Sequence, residues 1–215
     1  MRLLSIVLSQ ITVLFNTTRP EGQEYRPHVA RELVDRYAFA DAPQSFSDLN
    51  AERVEFRHGL FQNSAIESLE IYNDGVVVKA RSDTDIIDAF LTDLRQWAEE
   101  EIGLTFTVNR TINRMYDSRL IIEADPKIIG PLSVMTDLES QIRAMVSENT
   151  GLDTEYYSAG FVLAPDQVLL SSLRPTVFRV ERWFDSEFQL NKFVCIAPLR
   201  TQQHIRLLES LEGLS

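Results

Sequence analysis

One cysteine, eight glycines and three histidines are all that 215 residues offer for the chemistry that most often leaves a local trace in a sequence. Cys195 alone excludes an internal disulfide framework and fits a reducing compartment, so a cytoplasmic location is expected. It stands in Phe193-Val194-Cys195-Ile196, where a thiol between apolar strand residues is ordinarily buried and inert. Eight glycines leave no glycine-rich phosphate loop and no nucleophile elbow. His28, His58 and His204 share no ligand spacing, so neither a metal nor a cofactor is expected. His28 and His204 are expected on the surface in the first turns of helices. His58 should be partly buried, on a strand face with Val54 and Phe56.

Long apolar runs are missing too. No stretch of 18 uninterrupted apolar residues occurs, and Met1 to Phe15 is broken by Ser9 and Gln10 without a small-residue cleavage pattern, so it reads as a long first strand buried on both faces. Lysine is scarce: only Lys79, Lys127 and Lys192 accompany the arginines among 21 basic residues, against 32 acids. The net charge of -11 repels nucleic acid and anionic membrane surfaces, so such partners are not expected.

The composition that remains, 44% hydrophobic and 25% charged, is that of an ordinary globular chain, and no internal boundary divides it. A single α+β domain over 1–215 is expected. The clearest stretch runs from Ile66 to Leu104. Two β-branched runs, Ile66 to Tyr72 and Val76 to Ala80, flank Asn73-Asp74-Gly75, which tolerates the positive φ of a tight hairpin. A helix follows, capped by Ser82 with Asp85, with an apolar stripe of Ile87, Phe90, Leu91, Leu94, Trp97 and Ala98 and a stop at Gly103.

Before this unit, Pro27 opens a helix carrying Val29, Leu33, Val34 and Tyr37; 42–51 is polar and irregular; and strict alternation begins a strand at Arg53. After it, strands are expected over Leu104 to Val108, extending to Tyr116, and over Arg119 to Ala124, joined by a turn at Asp117-Ser118. A second long helix lies between Pro131 and Asn149, with Leu138, Ile142 and Met145 on its apolar face, a capping box of Thr136 and Glu139, and Gly151 past its end. Shifting positions by 48 overlays this helix on the first, as a decayed duplication or as two helices sharing one packing task. Strands over Tyr156 to Leu163, Val168 to Leu173, Val177 to Trp183 and Phe193 to Ile196 precede a final helix capped by Thr201, with Ile205, Leu208 and Leu211 on its apolar face. Paired strands without intervening helices predict a mainly antiparallel sheet with about four helices on one face.

Several groups carry possible chemistry. Asp83, Asp85 and Asp88 form an acidic cluster, already accounted for by capping and the helix dipole. Glu123, Asp125 and Lys127 are spaced faintly like a metal-dependent nuclease site, but a strand would have to continue through Pro126. Arg110, Arg114 and Arg119, with Tyr116 nearby, and Arg174, Arg179 and Arg182, with Trp183, could grip phosphates or pair with the chain's own acids. The central helix holds seven acids and one base between Asp83 and Glu101. Glu99, Glu100 and Glu101 crowd its C-terminal turn, where the dipole disfavours them. Helical projection turns Glu101 toward an arginine of its own chain and Glu99 and Glu100 outward, toward the Arg110–Arg119 segment of another copy.

These readings favour a non-catalytic interaction or assembly subunit of a homo-oligomer or larger complex, with Glu99, Glu100, Arg110, Arg114 and Arg119 at the interface. The alternatives are an enzyme, such as a hydrolase, with a site assembled from separated strands, and a nucleotide or nucleic-acid binder using the Arg110, Arg114 and Arg119 cluster.

Overall fold

A computed structural model describes residues 1–15, 17–18, 27–49, 51–106, 113–166, 175–184, 187 and 190–213. Arg110, Arg174 and the strand expected over 168–173 lie outside the described residues. In chain order the elements are β1 (Arg2–Leu14), β2 (Thr17–Thr18), α1 (Pro27–Tyr37), the four-residue α2 (Phe46–Leu49), β3 (Arg53–Phe61), β4 (Ser64–Tyr72), β5 (Gly75–Ala80) and α3 (Thr84–Glu100). There follow β6 (Thr105–Phe106), β7 (Asn113–Glu123), a 3-10 helix over Pro126–Met135, α4 (Thr136–Thr150), β8 (Gly160–Leu163), β9 (Phe178–Arg182), β10 (Lys192–Ala197) and α5 (Thr201–Gly213). Eight strands form one antiparallel sheet in the order β3-β4-β5-β1-β7-β10-β9-β8, and β2 pairs with β6. This is the α+β class that the paired strands imply.

The described residues divide into two compact units. The first comprises Ile6–Ser118 with Pro198–Gln202, and the second Met1–Ser5, Arg119–Ala197 and Gln203–Ser215. In the first unit alternate residues of β1 are buried from Ser9 onward: Ser9, Ile11 and Val13 are buried, Gln10, Thr12 and Leu14 are half-buried, and Val7 is exposed. Over that stretch the strand is fully covered on one face and partly on the other. It pairs antiparallel with β5, placing Ile11 opposite Val78 and Val13 opposite Val76, and both β5 residues are buried. Helix α1 repeats an apolar residue every fourth position, and Val29, Leu33 and Tyr37 are all at most 5% exposed. The Tyr37 hydroxyl donates to Asp93 of α3 at 2.7 Å, and Arg36 grips the same carboxylate through two bonds of 2.8 and 3.1 Å. Arg36 and Tyr37 together hold Asp93 below the usual carboxylate range, and burial pushes the Tyr37 hydroxyl upward.

Three local expectations change. The β4–β5 turn is two residues, Asn73 and Asp74, and uses no positive φ. Gly75 is required there for a different reason: a Cβ on it would lie 2.5 Å from the Val13 carbonyl oxygen. The positive-φ hairpin is the preceding one, where Gln62 (φ 47°) and Asn63 (φ 63°) join Phe61 to Ser64. The cap of α3 is Asp83, which accepts from the Asp85 amide at 3.0 Å, so Ser82 is not the cap. Asp117 and Ser118 make no turn: β7 runs straight through them, because Ser118 is itself a buried, inward-facing residue.

Leaving aside β2, α2, β6 and the 3-10 helix, one element order occurs twice along the chain. Strand, helix, three strands and helix recur as β1-α1-β3-β4-β5-α3 and as β7-α4-β8-β9-β10-α5, and the sheet reads β3-β4-β5-β1 in one and β8-β9-β10-β7 in the other. The burial pattern repeats with it. Buried Ser9, Ile11 and Val13 correspond to buried Ser118, Leu120 and Ile122; Val78, Ala80, Thr84, Ile87 and Leu91 correspond to Cys195, Ala197, Thr201, His204 and Leu208. At the start of α3 and α5 the two equivalent threonines, 117 positions apart, bond reciprocally: the Thr84 amide donates to Thr201 Oγ1 at 3.1 Å and the Thr201 amide to Thr84 Oγ1 at 3.0 Å. The architecture is thus a duplication. It pairs α3 with α5, not with α4, which overturns the overlay by 48 positions.

Candidate functional site

The acidic cluster of the sequence meets arginines in the first unit. Asp88 lies one turn into α3, and β7 presents Arg114 and Tyr116 on the same strand face, two positions apart. Arg114 Nη1 donates to Asp88 Oδ1 at 2.6 Å. Arg200, just before α5, places Nη2 3.0 Å from Asp88 Oδ2, donates to the Tyr116 hydroxyl at 2.7 Å and stacks its guanidinium 4.7 Å from the Tyr116 ring centre. Asp85 receives Arg200 at 3.5 Å, while Asp83 caps the helix and accepts from Gln202 at 2.6 Å. All three acids are therefore engaged by cations, amides or side-chain donors. Among the described residues no group of three or more His, Cys, Asp or Glu side chains is arranged to hold a metal ion. Arg200 was not legible as a member, since its only link to Asp88 is through space.

The histidines do not converge. His28 is exposed in α1, as expected. His58 departs from expectation: its φ of 57° breaks the alternation of β3, so the side chain stands in solvent, 3.6 Å from an equally exposed Asp41. Nearby, Asp41, Asp48, Arg53, Glu55 and Arg57 line an open cleft of about 340 Å³. His204 is fully buried, contrary to its expected surface position, because α5 turns residues 204 and 208 inward together. It meets Phe178 edge-on at 6.1 Å, and burial lowers its pKa to about 4. Cys195 is buried as expected, its thiol pushed up to about 12 by desolvation.

Most of the remaining candidates have intrachain partners. Glu99 accepts from Arg95 and Glu100 from Gln96, each at 2.9 Å along the surface of α3. Glu101, expected to meet an arginine of its own chain, is instead the exposed C-cap residue of α3, its amide donating to the Trp97 carbonyl. Glu123 pairs with Arg2, the Asp125 carboxylate receives the Lys127 amide at 2.9 Å, and Arg179 lies 3.6 Å from Glu181. Arg119 is half-buried in β7. Arg182 is buried beside Phe193 and donates to Asn191 Oδ1 at 3.1 Å. Trp183 lies beneath the Lys192 ammonium, 5.6 Å from the ring centre.

The second unit carries a different kind of surface. Helix α4 buries no residue, although the sequence assigns it an apolar face. Leu138 is 48% and Met145 59% exposed. Its N-cap is Met135, without a side-chain bond, and Glu139 instead accepts from the amide and hydroxyl of Ser158, so the expected capping box is absent. Gly151 ends the helix with φ 73°, as expected. Among the described residues, thirteen of the fifteen exposed large hydrophobic ones fall in this unit, among them Val134, Leu152, Tyr157, Leu163 and Phe184. The corresponding helix of the first unit, α1, buries Val29, Ala30, Leu33 and Tyr37. Both helices show apolar residues at helical spacing, but the sequence of α1 segregates them to one face more sharply than that of α4 does.

No family model matches the chain, and no curated protein matches it. Among solved structures, TBP of Methanococcus jannaschii aligns over 99% of this chain and 98% of its own, with 12% identity and a TM-score of 0.40. Likeness at that level assigns no function. Among the described residues no helix is long and apolar enough to cross a membrane.

Proposed function

We propose that this chain is a non-catalytic protein-interaction subunit of a homo-oligomer or larger complex, and that it makes its contact through the exposed face of α4 and the segment after it. What supports the reading is the uneven exposure of apolar side chains: among the described residues thirteen of the fifteen exposed large ones lie in the second unit, and no residue of α4 is fully buried. Exposed apolar surface concentrated in this way is ordinarily an interaction site. The histidines suit catalysis poorly, one buried against a phenylalanine ring and another standing in solvent. The arginines are largely spent on the chain's own acids, as in the Arg114–Asp88 and Arg179–Glu181 pairs, which weighs against nucleic acid. A contact of Glu99 and Glu100 with Arg114 and Arg119 of another copy remains a second, polar component of the proposal, one that would exchange existing intrachain pairs for new ones.

A photo-crosslinking residue at Met145 tests the proposal in cells, with the same residue at Glu32, an exposed position on α1, as the control. A discrete protein adduct from position 145 and none from position 32 is expected. Equal labelling from both positions, or none from 145, would contradict it.

A further inference from the structure

The charge around the exposed α4 face selects among the occupants it could take. Leu138 and Met145, seven residues apart, lie on one stripe of the helix, and Leu152 continues it just past the Gly151 cap. The segment that carries this stripe is acidic. Between residues 126 and 166 the chain carries Asp137, Glu139, Glu148, Asp153, Glu155 and Asp166 against Lys127 and Arg143 alone. Arg143 is bound to Asp153 through two bonds of 2.8 and 2.9 Å and lies 3.5 Å from Glu155, so these charges offset one another and Asp137, Glu139 and Glu148 are left on the helix without a basic partner beside them in sequence. A second copy docked symmetrically by this same face would bring a net acidic segment against itself, and like charges across an interface repel. Complementarity calls for the opposite sign.

We infer that the α4 face takes an amphipathic helix of a different protein, apolar along one stripe and flanked by lysine or arginine. The inference rests on the interaction reading above and narrows it to a class of partner. A helix suits the surface because it satisfies its own backbone hydrogen bonds while presenting one apolar stripe to side chains spaced as Leu138 and Met145 are. The acidic rim sets orientation and encounter rate, and the apolar stripe holds the complex once formed.

The test uses the full chain and three fluorescein-labelled 18-residue peptides: a leucine-lysine helix with its leucines on one stripe, the same composition scrambled, and the leucine-glutamate equivalent. Fluorescence anisotropy should show binding of the first only, weakened at least tenfold by Leu138→Gln with Met145→Gln, and at least tenfold by Asp137→Lys with Glu148→Lys. Equal binding of the scrambled peptide, or undiminished binding by either double variant, would overturn the inference. So would phosphatidylcholine vesicles capturing the chain through Leu138 and Met145 without any peptide. A concentration-dependent dimer dissolved by Leu138→Gln with Met145→Gln would also overturn it, while leaving the interaction reading intact. A monomer that binds no peptide and gives no adduct at position 145 would remove both.

Discussion

His204 stands in the second repeat where the first has Ile87, and both are fully buried on the inward face of their helices. An imidazole at an isoleucine position stays neutral because burial penalises its charged form, which sets its folded pKa near 4 against an ordinary 6.5. The unfolded chain then binds the proton more readily than the folded one. This contribution is fully present above pH 6.5 and is lost as pH falls toward 4, by about 3 kcal/mol over that window. His204→Ile should flatten the stability profile between pH 6.5 and 4, as read by urea denaturation at several pH values, whereas an unchanged profile would place the acid sensitivity elsewhere. This burial is hard to read from the sequence. Position 204 lies four residues before Leu208 and so belongs to the apolar stripe, but a histidine in a first turn resembles any other polar residue there.

At the scale of elements, the strongest periodicities settled most of the fold. Helices α1, α3 and α5 fall where their stripes place them, and Gly151, with φ 73°, ends α4 as a glycine stop should, whereas α3 is capped at Glu101, two residues before Gly103. What failed was turn chemistry. Asn73-Asp74-Gly75 reads as a positive-φ hairpin, yet Gly75 is small to clear the Val13 carbonyl, a constraint set by a neighbouring strand 62 residues earlier in sequence. Within α3 the stripe divides unevenly: Phe90 is fully buried, edge-on to Tyr37 at 4.7 Å and to Phe61 at 5.5 Å, whereas Leu94 is only partly buried at the edge of the core. Phe90→Ala should therefore cost roughly 3 to 5 kcal/mol in chemical denaturation, and Leu94→Ala visibly less. Equal losses would mean that α3 is rotated from the orientation described.

Over the whole molecule, duplication organises the chain, and helical stripes could not reveal it because every amphipathic helix resembles every other. The traces that carry it are small buried residues: Ser9 and Ser118 in the long strands, and alanine followed four positions later by threonine in Ala80–Thr84 and Ala197–Thr201. They were present in the sequence, but only burial marks them as inward-facing. The candidate site was less legible still. Asp88 and Arg114 meet across 26 residues, and the exposure of α4 is visible only once its counterpart α1 is seen to be buried.

The two copies of the fold differ where function is proposed: α1 completes a core and α4 offers its apolar stripe to solvent. Leu138→Gln with Met145→Gln tests this contrast most directly in urea denaturation, since glutamine keeps helix propensity close to that of leucine and methionine. The double variant should unfold within about 0.5 kcal/mol of the parent, as exposed substitutions do, while Leu33→Gln in α1 should lose at least 2 kcal/mol. A loss above about 2 kcal/mol in the α4 variant would show that Leu138 and Met145 are packed in the native protein, and would contradict the account.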